Sequence, residues 1–414
     1  MTRKAVSSRI LPRRDKFTAN QEEKGIKKMA IVSRQENKTR NRKTSSKFVE
    51  TEGIESIDNE ALAGSTEITP ELFGGHLPVG EYVSENEIDA ELALAQHHRT
   101  GHQSRADRIM VLGATIIPLI GMIACILMAF AFNMVTWLDV TMMIGGWYLT
   151  GLGITIGFHR MLTHGSFKAV KPVKFLWTAL GTMALEGSPL DWCMVHRRHH
   201  QFSDVHGDPH SPHLHGEGWW NAIKGFYHSH FGWMLTDAMA ADERQKYVPD
   251  LAQDKMLQFF DRTFLWWTVA SLTIPGIIGA LAAPFFYGTS ALMILKGFGL
   301  GLLWGGLARV CLSHHMTWSI NSICHVFGSQ DFKSADDSRN NVVFGVLSHG
   351  EGWHNNHHAF PTSARHGLKW WQFDLSWVII RALSMVGLVW DVRLPTERQL
   401  KMRAIDKSQG AHLH

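Results

Sequence analysis

Long stretches without a charge decide what this chain can fold into. Residues 109–132 run for 24 positions with no Asp, Glu, Lys or Arg, residues 140–158 for 19, and residues 263–295 for 33. A further apolar stretch reaches residue 312, interrupted by Lys296 and Arg309. A bilayer core about 30 Å thick needs about 20 apolar residues per helix. The runs therefore predict four membrane-spanning helices, near 109–132, 140–158, 264–287 and 291–312. A mean hydropathy of -0.08 and 19% charged residues would suit a soluble protein, but these averages conceal the segregation of oily and polar segments.

The ends of the chain are organised by charge. Residues 1–48 carry 15 Lys/Arg against 4 Asp/Glu, and residues 49–100 carry 12 Asp/Glu against one Arg. Poor in aromatics, residues 1–100 read as a disordered tail, basic over 1–48 and acidic over 49–100. A transmembrane domain is expected over 101–395 and a C-terminal tail over 396–414. The connectors 133–139 and 288–290 lack Lys and Arg, whereas 159–262 holds eleven. By the positive-inside rule this segment and both termini face the cytoplasm. The segments 176–190 and 375–390 are too short or too interrupted to span and read as interfacial helices.

Histidine is the compositional outlier, at 25 residues. His159 and His164 follow the second span. His196, His199 and His200 form one H-x-x-H-H triplet, His354, His357 and His358 a second, and Asn321 and His325 lie just past the fourth span. Residues at i, i+3 and i+4 share a helix face, so each triplet converges on one point, as do Asn321 and His325. His159 and His164 would diverge by about 140° on a continuous α-helix, so convergence predicts that the helix ends near Phe158. An even number of spans separates the first cluster from the last, which puts all four on one side of the membrane. Imidazole suits Zn, Cu, Fe and Ni, and nine imidazoles exceed what one ion can bind, so two metals are expected. His97, His98, His102, His228, His366, His412 and His414 fit no pattern and read as surface or interfacial residues; His206, His210, His213 and His215 are ambiguous and read as partners of the ligands or as local structure rather than as extra ligands. His314, His315 and His349 are left outside the site.

Absences narrow the chemistry. There is no H-E-x-x-H, so a zincin protease is unsupported. A ferritin-like di-iron bundle needs two Glu-x-x-His motifs, and this chain has one, at Glu351 and His354. Neither a Walker A motif nor a dinucleotide fingerprint is present, and no nucleic-acid partner is expected. Cys125, Cys193, Cys311 and Cys324 show no C-x-x-C spacing, so neither a disulfide framework nor a zinc ribbon follows.

These residues resemble the membrane-bound fatty acid desaturases, in particular the Δ9, stearoyl-CoA desaturase-like branch, over roughly residues 105–395. The resemblance rests on His159-Arg-Met-Leu-Thr-His164, on Asp191-Trp192 leading into the first triplet, on Asp208-Pro209-His210, on His230-Phe-Gly-Trp233, on Thr317-Trp318 through Asn321 to His325, and on Gly350 through His358 to Pro361. It implies an all-α membrane protein, four transmembrane helices with a cytoplasmic helical cap holding a di-iron centre. His159, His164, His196, His199, His200, His325, His354, His357 and His358 would bind the two irons, and Asn321 would hold a metal-bound water. Thr317 and Trp318 would line the bend of the acyl tunnel, with Trp192 beside it. At Met194 and Val195 the chain departs from the animal acyl-CoA members, which carry an Arg–Asp pair there.

The expected reaction is oxygen-dependent insertion of a cis double bond, at Δ9, into a saturated acyl-CoA or acyl-lipid chain. Breaking unactivated C–H bonds lies beyond amino-acid side chains, so a redox metal must carry that chemistry. O2 would be co-substrate, and electrons would come from a ferredoxin or cytochrome b5 type donor with its reductase, steered to a basic cytoplasmic face. The membrane would be a bacterial inner membrane, or the ER membrane in a eukaryote. A fatty acyl or alkane hydroxylase could share the same centre. A histidine-rich metal transporter would instead require ionisable groups inside the spans.

Overall fold

The computed structural model describes residues 105–132, 134–236 and 243–406; the expected tail over 1–100 and residues 407–414 lie outside the described residues. Four helices are long and apolar enough to cross a membrane: α1 (Arg105–Phe130), α2 (Trp137–Thr163), α7 (Phe264–Phe286) and α8 (Ala291–His325). Between them lie α3 (Lys171–Thr182), α4 (Pro189–Phe202), α5 (Trp219–Tyr227) and α6 (Lys255–Arg262). After them come α9 (Val342–Leu347), α10 (His354–Ala359) and α11 (Leu375–Met385). The strand content described is one antiparallel pair, Lys168–Ala169 with Val389–Trp390.

The spans are apolar outside as well as in. Only 17% of the central window of α1 is buried, and Ile109, Ile116, Ile120, Leu127 and Phe130 stand exposed along it, with Leu265, Ile277, Leu281 and Phe285 on α7. Such a surface is stable against lipid and costly in water. Lipid gives helices no hydrophobic reason to associate, so close backbone contact must do it. On α7 and α8 it does: a Cβ on Gly279 would sit 2.1 Å from the Gly297 carbonyl oxygen, and one on Gly301 2.1 Å from that of Pro275. Arg309 on α8 is buried, with its guanidinium donating to the carbonyls of Gly305, Ser271 and Met183 and to the Ser271 hydroxyl. A charge at this depth is held because each guanidinium nitrogen finds oxygen, and it ties α8 to α7 and to the segment after α3.

Two local devices aim the histidines. The second span does not end at Phe158. It continues from Gly153 to Thr163 in π geometry, with the His164 amide donating to the His159 carbonyl at 3.1 Å. The i→i+5 ladder of a π-helix places residues five apart on one face, so the His159 and His164 rings come within 4.9 Å. α3 packs on this segment, and a Cβ on Gly153 would meet the Gly181 amide nitrogen at 2.1 Å. The second device is α4, started by Pro189 and by Ser188, whose hydroxyl accepts from the Asp191 amide, a favourable pairing of N1 proline and N-cap serine. The fourth span also continues past 312 to His325, so its polar last turns carry Thr317 and Asn321 beyond the apolar stretch. Residues 396–406 fold back on the domain: the Arg403 guanidinium donates to the Ala359 carbonyl at the end of α10, and Ile405 donates to Asp331.

Candidate metal centre

Two groups of imidazoles converge. In the first, the ligand atoms of His159, His164, His196, His200 and His357 all lie within 4.8 Å of one another; in the second, those of His199, His325, His354 and His358 do. The first group draws on α2, α4 and α10, the second on α4, the end of α8 and α10. The two are neighbours, since His200 stacks on His358 with centroids 4.5 Å apart. All nine histidines expected from the sequence are thereby brought together.

The nitrogens face one another at short range. His357 Nε2 lies 3.0 Å from His159 Nε2 and 2.9 Å from His200 Nε2, and His200 Nε2 lies 3.0 Å from His196 Nε2. His354 Nε2 lies 3.1 Å from both His325 Nε2 and His358 Nε2. His164 Nε2 and His199 Nε2 are buried without any partner. Burial, and then the neighbouring imidazoles, hold His164, His196, His200, His354 and His357 well below the usual histidine range, which favours the uncharged rings that a metal binds.

The opposite ring nitrogens settle where the lone pairs point. His159 Nδ1 is 2.7 Å from Glu351, His199 Nδ1 3.0 Å from Asp208 and His325 Nδ1 2.8 Å from Asp204, while His358 Nδ1 meets Asp336. Each carboxylate accepts a hydrogen bond from Nδ1–H and so turns the Nε2 edge of its ring toward the other imidazoles, the arrangement that orients metal-binding histidines. Two groups of buried imidazoles, each converging on a common point, fit two metal ions.

The supporting carboxylates are themselves held ionised. Burial raises Asp208, but the His199 imidazole outweighs it and holds the acid at about 2. Asp204 and Asp336 are likewise depressed: burial opposes ionisation, and hydrogen bonds and charge from His325 and His358 prevail. Glu351 stays well below the usual range, burial again being overcome by His159, His366 and Arg160. The fully buried Arg160 donates to Glu351, to Asp374 at 3.0 Å and to the Ala364 carbonyl.

A cavity opens against both groups, its wall including His159 and His196 of the first and His354 of the second. Trp192, Thr317 and Asn321 also line it, as does Glu186, which the sequence presents only as a break in an apolar run. Trp318 lies behind the wall, stacked on His314 at 5.0 Å and packed against Phe231. His349, left out of the site by its sequence context, is on the wall. His366, read as a surface or interfacial residue, is instead buried, 4.5 Å from the His357 ring and 3.3 Å from Glu351. Its place follows from the turn before α11 doubling back on α10, which no spacing in the sequence shows. His210 packs on His199 at 4.3 Å, and His213 Nε2 donates to the His325 carbonyl.

Residues 135–389 match a family model described as fatty acid desaturase. The chain is 37% identical to a hex-5-enoyl-[acyl-carrier protein] acetylenase of Moorena producens over 292 residues, 70% of this chain and 87% of that protein. It is 39% identical over 283 residues to Delta-9 acyl-lipid desaturase 1 of Arabidopsis thaliana, covering 68% and 83% of the two chains. With an sn-1 stearoyl-lipid 9-desaturase of Synechocystis it shares 37% identity over 279 residues, 67% and 79% of the two.

Proposed function

The chain belongs to the fatty acid desaturase family, and from that premise we propose that it inserts a cis double bond at Δ9 into a saturated acyl chain, using two irons held by the nine histidines. One observation carries the reading: a single cavity is walled by histidines of both groups, so an acyl chain lying in it has its methylenes beside both. Bound there, the irons supply the oxidising power, drawn from O2 and two electrons, that C–H cleavage demands.

The rest is placement by the protein. His159, His164, His196, His200 and His357 would hold one iron and His199, His325, His354 and His358 the other, and Asn321, on the same cavity wall as His354, would hold a metal-bound water. Asp204, Asp208, Asp336 and Glu351 fix the ring orientations. Trp192, stacked on His196 at 5.0 Å, and Thr317 set the course of the acyl chain past the histidines. How deep the chain reaches then fixes which methylene pair reacts. Water is kept from the reacting carbons by the chain itself.

An acyl-lipid donor is favoured over acyl-CoA. Met194 is buried in the apolar core rather than presented to a ligand, so the position offers no cation for a CoA headgroup. Electrons would come from a separate ferredoxin or cytochrome b5 type carrier on the cytoplasmic face, which would also carry both termini. The test is expression with a reductase system in a desaturase-deficient host, with mass spectrometry locating any new double bond. A monounsaturated product that is absent with His357→Ala supports the reading. An alcohol in its place would identify a hydroxylase and refute desaturation.

A further inference from the structure

Glu186 is a carboxyl group in a place meant for hydrocarbon. It sits on the cavity wall, its Oε1 accepting from the Thr317 hydroxyl at 2.8 Å and its Oε2 from the Trp192 indole N–H at 3.1 Å. Both donors are neutral, and among the described residues no cation pairs with it. The nearby charged and titratable groups are committed elsewhere. On α8, Arg309 is bound to backbone carbonyls and Ser271, and His314 Nε2 donates to the Leu185 carbonyl. On α4, Asp191 is paired with Arg244, and His196 lies beyond the Trp192 ring. Across the cavity, Glu351 is paired with Arg160 and His159, His354 belongs to the second histidine group, and His349 packs on Tyr148.

In the open cavity, water can solvate a carboxylate at this position. An acyl chain cannot. Filling the cavity with methylenes strips that water and leaves two neutral hydrogen bonds against the cost of a buried, unpaired charge, which is met in practice by neutralising the group. We infer that Glu186 binds one proton from solvent when a saturated acyl chain enters the cavity, so that substrate arrives together with a protonated acid beside the metal centre.

The inference rests on the desaturase reading and deepens it. Already without substrate, burial pushes the Glu186 carboxyl up to about 7, against the pull of Thr317 and Trp192, so a modest further desolvation suffices. The reaction has a use for the proton. A saturated chain, O2, two electrons and two protons give an unsaturated chain and two waters; two C–H bonds break, and the waters take two hydrogens from the chain and two protons from solvent. Glu186 brings one of these inside before water is shut out. Thr317, its hydrogen-bond partner, and Asn321 are one helical turn apart on the same face, and both line the cavity together with His354.

Titration calorimetry of the iron-loaded full chain, without an electron donor so that no turnover occurs, tests this. The probes are 1-stearoylglycerol, which has no titratable group, and stearoyl-CoA. Buffers of different ionisation enthalpy count the protons exchanged. Near pH 8 binding should take up close to one proton, and above about pH 7 the Kd should rise about tenfold per pH unit, as linkage requires for one proton. Glu186→Gln keeps the shape and should abolish both effects. Thr317→Val removes a bond that favours the charged form, so the pH at which affinity starts to fall should move up; this arm stands if the Gln variant does not fold. Binding without proton uptake, uptake that persists in Glu186→Gln, or an unmoved profile in Thr317→Val overturns the inference while leaving the desaturase reading intact. If neither probe binds at any pH, the acyl-cavity reading itself fails and the inference with it.

Discussion

The two histidine groups lie side by side but are backed differently: Glu351 stands behind the first, which has five imidazoles, and Asp204, Asp208 and Asp336 stand behind the second, which has four. The charge of Glu351 is shared with Arg160, so little of it reaches a metal. The three aspartates, by contrast, are all held ionised by the imidazoles they orient. A cation in the second group therefore sits in a far more negative surround, whereas the first compensates with one more neutral nitrogen. The lesson is that ligand count and outer charge trade against each other, and that two ions in one centre need not be equivalent. An ion in the four-histidine site would accordingly be held more tightly and favour the higher oxidation state.

The sharpest way to break the comparison is to remove the central ring of each group. His357→Ala and His354→Ala should each abolish product and lower bound metal, with the loss confined to one ion per chain; metal analysis of the purified variants checks this. Loss of both ions from either variant would show the two groups to be one site.

Next come the carboxylates. Asp208→Asn and Asp336→Asn should each weaken metal affinity of the second group by about 10–100-fold, read by competition with a chelator, and leave the first group unchanged. Glu351→Gln should do more to the fold than to the metal, because it leaves the buried Arg160 undercompensated, a loss of about 3 kcal/mol visible in thermal melting. Equal effects of Asp208→Asn and Glu351→Gln on melting would erase the asymmetry.

The pH response of metal-free protein is a broader test. His164, His196, His200, His354 and His357 are depressed in the fold, so the unfolded chain binds their protons first. Stability should be complete above about pH 6.5 and fall as pH drops below it, with a slope of several protons, steeper from the first group because four of the five are there. The depressed aspartates act in the same direction but lower: the stability they give is present above about pH 4 and lost as pH falls through their folded values. Denaturant melts across this range separate the two phases. The smallest effect is expected at Asp250, about half exposed, which pairs with Arg197 as that guanidinium donates to the Leu162 and Thr163 carbonyls at the end of α2. Asp250→Asn should cost at most about 1 kcal/mol, read by thermal melting.

How much of this could be seen in the sequence follows from what each feature depends on. The spans are legible because lipid demands length and apolarity, a property of consecutive residues. The triplets are legible because i, i+3 and i+4 residues meet on any helix. The π segment is not, since Gly153 to Thr163 differ little in composition from α-helical residues, and the widening follows from α3 packing against Gly153 and Gly157. Asp204 and Asp336 are contributed by loops between helices, and His366 by a turn that folds back on α10, so no periodicity announces them. Glu186 reads as an interruption of an apolar run until its partners Thr317, far along the chain, and Trp192, six residues on, are seen around it.

The central claim is that two unlike groups each hold one ion. Anomalous diffraction at the iron edge on crystals of the iron-loaded protein tests it most directly. The account predicts two peaks, one among His159, His164, His196, His200 and His357 and the other among His199, His325, His354 and His358. A single peak, or peaks away from these nitrogens, would contradict it.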